Sequence, residues 1–160
     1  MLFSGGAHCC FTAILCSVCG PEETAVVLDL LDGSELKLSD VDGDGTKEIS
    51  FADMQFGYYD PEIANLDLSF ATSPELYRLL VFDNNRWRLD KPGEFKGHYS
   101  GLMQRSKSKA EMELLAREKK HKEPSEEEYV AAFAIEAAYY ALMAGEGESA
   151  SRELLKNLLP

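Results

Sequence analysis

Between residues 40 and 48 the chain reads Asp40-Val-Asp-Gly-Asp-Gly-Thr-Lys-Glu48, and this segment constrains the fold more than any other. Counted from Asp40, carboxylates fall at positions 1, 3 and 5 (Asp40, Asp42, Asp44), the carbonyl of Thr46 at position 7 and Glu48 at position 9. Calcium takes about six to eight hard oxygen ligands at flexible spacing, which this pattern supplies. Gly43 and Gly45 let the backbone curl so that alternate side chains converge on one point. Without a cation, each pair of acids repels by roughly 3 kcal/mol at about 5 Å and an effective dielectric near 20. The cluster therefore holds a cation or stays open. An acidic Asp-Gly turn with no ion is the plain alternative, and calcium is the expectation. Magnesium fits less well, because it prefers fewer protein ligands and strict octahedral geometry.

An EF-hand is excluded on two grounds. Position 12 is Phe51, where an EF-hand places a bidentate Glu. The flanks, Leu36-Lys-Leu-Ser39 and Ile49-Ser-Phe-Ala-Asp53, alternate with period two and read as strands rather than helices.

The rest of the front part extends this β character. Phe11 to Val18 is apolar with β-branched residues, and Thr24-Ala-Val-Val-Leu-Asp-Leu-Leu31 is a second strand closed by the Asp32-Gly33 turn. Tyr77–Phe82 and Arg86–Leu89 flank Asp83-Asn84-Asn85, a hairpin signal because Asn tolerates positive φ. Beyond about Gly101 the pattern becomes helical. Lys107 to Lys122 is charged and helix-favouring, a solvated helix or linker. Ser125-Glu-Glu-Glu128 forms a capping box that opens a helix through Tyr129, Phe133, Ala137 and Tyr140 to a stop at Gly145. Glu148–Leu159 makes a last short helix with Leu154, Leu155, Leu158 and Leu159 as its apolar stripe. The expected organisation is a β domain over 1–100 carrying the calcium loop, then a helical segment over 101–160 packed on it or appended to it. The fold class is α+β: an antiparallel sheet followed by a C-terminal helical hairpin.

The chain's 160 residues are enough to bury a real core, and 16 aromatic residues argue against global disorder. The net charge of −12 is concentrated in residues 1–100, which hold 17 acidic and 7 basic side chains. Nucleic acid and anionic membrane would be repelled, so neither is an expected partner. No stretch reaches the roughly 20 apolar residues that span a bilayer. The first residues have no Lys or Arg and their apolar run is broken by Gly5-Gly6 and His8, so they make a poor signal peptide. Read literally, the chain stays in the cytoplasm.

Cys9, Cys10, Cys16 and Cys19 lie within eleven positions. Cys16-x-x-Cys19 offers half of a zinc site or a redox pair. Adjacent Cys9 and Cys10 point to opposite faces of a strand, however, and cannot easily share a tetrahedral ion. Disulfides or inert thiols are the preferred reading. The sequence holds no nucleophile elbow, Walker loop, Rossmann fingerprint or H-E-x-x-H. His8 beside Cys9 is the only nucleophilic constellation on offer, with poor geometry for neighbours in sequence.

The loop with its strand flanks, Leu38 to Ile49, resembles those of FG-GAP and VCBS repeat proteins, where it joins two strands of a propeller-type blade. The block Ser4-Gly-Gly-Ala-His-Cys-Cys10, followed by an aromatic strand, is similar to a segment of exported bacterial VCBS-like proteins that precedes a D-x-D-G-D-G loop. Phe56, Phe70-Ala-Thr-Ser-Pro74 and the hairpin at 77–89 follow that group's order more loosely, so the resemblance covers roughly residues 4–90. It implies propeller-blade-like hairpins, structural calcium and a secreted or periplasmic location. Members carry residues ahead of the Ser-Gly-Gly block, so it also implies an N-terminally truncated chain. A single calcium loop in this length excludes a complete propeller.

The resulting expectation is a calcium-binding, non-catalytic exported module that binds a protein or glycan or serves structurally. The alternatives are a hydrolase built on His8 and Cys9, and an intracellular adaptor that holds a partner with its C-terminal helices.

Overall fold

The computed structural model describes residues 11–17, 24–30, 36–53, 72–119 and 125–159. Among the described residues, six strands precede three helices: β1 (Phe11–Ser17), β2 (Thr24–Leu30), β3 (Lys37–Ser39), β4 (Glu48–Asp53), β5 (Leu76–Asp83), β6 (Arg86–Leu89), α1 (Lys96–Lys119), α2 (Ser125–Met143) and α3 (Glu148–Leu158). The α+β class expected from the sequence is the class observed. The described residues fall into two compact units, one holding β1–β4 with residues 77–90, the other holding residues 72–76 and 91–159.

In the first unit, β1 and β2 pair antiparallel from Phe11↔Leu30 to Ser17↔Thr24. A separate sheet runs β3-β4-β5-β6. Period-two alternation decides which side chains go inside. On β1, Ala13 and Leu15 pack on a core of Ile49, Phe51 and Leu80 that Trp87 also joins, while Ile14 between them is 63% exposed. Leu79, Leu80 and Val81 are consecutive and all buried, the pattern of a strand enclosed on both faces.

The β5–β6 hairpin forms as its Asn pair requires. Asp83 pairs with Arg86 across a two-residue turn in which Asn84 (φ 51°) and Asn85 (φ 61°) are both left-handed. That geometry matches the right-handed twist of the strands. Asn84 Nδ2 and Arg88 Nε both donate to the Asp83 carboxylate, at 2.9 and 3.2 Å. Phe82 and Trp87, directly opposite, place their rings 5.1 Å apart. At the end of the hairpin, buried Asp90 accepts from Arg78 at 3.3 Å, and its amide donates to the Leu79 carbonyl at 3.0 Å.

The second unit is built on an alanine-rich helix. Ala131, Ala132, Ala134, Ala137, Ala138 and Ala141 of α2 are buried, so neighbouring backbones approach closely. From α1 come Tyr99, Ser106 and Ala110, all buried along one helical stripe. Lys109 lies 5.0 Å above the Phe133 ring. The expected leucine stripe of α3 is present: Leu158 is buried against Ala110, Ala134 and Ala137, with Leu154, Leu155 and Leu159 beside it.

Composition places the onset of helix near 101, but α1 begins at Lys96 and Lys91–Phe95 belong to the helical unit. Residues 96–101 contain two glycines and a histidine, a poor local signal for helix. The 107–122 segment is not a linker up to Lys119; it is the second half of α1, with Ala110 buried. Of the aromatic stripe on α2, Tyr140 is buried and Phe133 half-buried, whereas Tyr129 is 42% exposed. The capping-box side chains of Ser125–Glu128 and the Asp32-Gly33 turn lie outside the described residues.

The stop at Gly145 is a Schellman motif. Glu146 N donates to Ala141 O and Gly145 N to Leu142 O, both at 3.0 Å. Gly145 has φ +86°, and a Cβ there would stand 3.0 Å from the Gly93 Cα. Gly93, also left-handed, donates its amide to Met143 O at 2.8 Å, so the two glycines let two backbones touch. Gly145→Ala adds left-handed strain and a backbone clash, and should lower unfolding free energy by about 1–3 kcal/mol. Urea denaturation checks this; an unchanged midpoint would contradict it.

Candidate metal centre

The acidic loop spans the gap between β3 and β4, whose pairing Ser39↔Glu48 closes its base. Inside, each carboxylate folds back onto an amide further along. Asp40 accepts from Gly43 N through Oδ1 (2.7 Å) and from Gly45 N through Oδ2 (3.0 Å). Asp42 Oδ1 accepts from Asp44 N at 3.2 Å, and Asp44 Oδ1 from Thr46 N at 2.6 Å. Glu48, the first residue of β4, reaches back to accept from Val41 N through Oε2 at 2.9 Å. Gly43 and Gly45 sit at φ +82° and +91°, with nothing within 4 Å of where a Cβ would stand. Glycine is needed there for its conformation, not for space.

These bonds bring three carboxylates together. One oxygen each from Asp40, Asp42 and Glu48 lies within 4.8 Å of the others. Oxygens bound to a common calcium ion at about 2.3–2.6 Å can be no more than about 5.2 Å apart, so the trio has the right span. Asp40 and Asp42 are exposed while Glu48 is 2% exposed, so the group has one buried wall and an open side. Accepting an amide proton does not disqualify a carboxylate oxygen, which has a further lone pair for a cation.

Of the five expected ligands, the structure gathers Asp40, Asp42 and Glu48. Asp44 is not in the convergent group, and it holds the amide of Thr46, the fifth. The Glu48 carboxyl is pushed above its ordinary range, first by burial and then by the charges of Asp42 and Asp44; the Val41 amide works against this. A cation at the trio would act in the opposite sense, supplying the positive charge the pocket lacks.

His8, Cys9, Cys10 and Cys19 lie outside the described residues. Cys16 lies on β1 opposite Ala25, and its side chain too is outside them. Among the described residues, no helix is long and apolar enough to cross a membrane. Comparison with protein-family models, curated proteins and solved structures finds no match to this chain.

One polar cluster escaped the reading of the sequence. Glu136 of α2 accepts from Ser106 Oγ at 2.8 Å through one oxygen and from Glu75 N at 3.3 Å through the other. Burial pushes its carboxyl above the ordinary range, against the Ser106 and Glu75 donors and Lys109. A signal was there: Glu136 is the one acid inside the apolar run from Tyr129 to Met143.

Proposed function

We propose that this protein binds calcium through the β3–β4 loop and that the ion serves to fix that strand-to-strand turn. The observation that carries the reading is the convergence of Asp40, Asp42 and Glu48 within 4.8 Å on a loop closed by strand pairing. The donor set is all carboxylate oxygen, which suits a hard divalent cation and offers a soft one nothing. Strands flank the loop, so binding has no mobile helix pair to open, and a sensor role is not supported. The wider proposal follows the resemblance to FG-GAP and VCBS proteins: a non-catalytic, exported module that holds a protein or glycan partner or serves structurally.

Calorimetric titration of calcium into chelator-treated protein tests the metal. The expected result is one saturable site and a rise in melting temperature. A ligand held only by the folded state stabilises by about 2.7 kcal/mol at one hundred times its Kd. No heat of binding and no thermal shift at millimolar calcium would sink the proposal.

A further inference from the structure

We draw no further inference here: the strongest candidate, the apolar face of β3 at the outer edge of the described four-stranded sheet, where Leu38 is 59% exposed beside its buried cross-strand partner Ile49, carries nothing because nothing in the structure shows what covers it.

Discussion

If the β3–β4 loop binds calcium as proposed, Asp40→Ala should abolish the calcium-induced rise in melting temperature, a stabilisation of about 2.7 kcal/mol at one hundred times the Kd. Asp40 has two jobs in the loop. It supplies one of the three convergent oxygens, and it holds the Gly43 and Gly45 amides with its two oxygens. Alanine removes both. Asp40→Asn separates them, since it keeps one amide acceptor but loses the charge; it should fold the loop yet bind calcium far more weakly. Asp42→Asn and Glu48→Gln should resemble it. Asp44→Asn should be the mildest of the four, because Asp44 stands outside the trio. Calorimetry ranks them directly. An Asp44 variant as impaired as the Asp40 variant would show that the ion gathers ligands differently from the arrangement described.

The other large effect lies in the helical unit. Tyr140→Ala should cost about 3–5 kcal/mol, the usual range for emptying a buried aromatic site. Tyr140 is 2% exposed, and its ring stacks on that of Tyr99 with centroids 6.1 Å apart. Ala137 and Ala141, buried beside it on α2, are too short to collapse into the cavity. Tyr140→Phe keeps the ring and loses only the hydroxyl donated to Glu75 O, so about 1 kcal/mol is expected. Chemical denaturation of the two variants compares ring and hydroxyl. Equal losses would mean that the hydrogen bond, not the packing, dominates.

The strands were the most legible part of the fold. Alternation at Lys37–Ser39 and Glu48–Asp53, and the Asn84-Asn85 turn, are local patterns with local causes, and the structure places them within a residue or so of expectation. The Gly145 stop and the leucines of α3 were legible for the same reason. The start of α1 was not. Gly97 and Gly101 weaken any local helix signal, and the helix forms there with Tyr99 buried in the second unit. Nor could the sequence show that β5 enters from residues held by α2. Two hydrogen bonds between positions more than sixty residues apart make that link.

For the acidic loop the division is similar. The sequence by itself determined that a carboxylate-rich turn sits between two strands, with glycines where the backbone turns left-handed, because spacing and backbone sterics are properties of the segment alone. Only the tertiary structure decided which acids meet. Glu48 is first in β4, and pairing with Ser39 swings it back to the Val41 amide and into a buried position beside Asp40 and Asp42. Asp44, equally acidic in the sequence, is turned to its own neighbour Thr46. Spacing can nominate ligands, but convergence depends on where the strand pairing anchors the two ends of the loop.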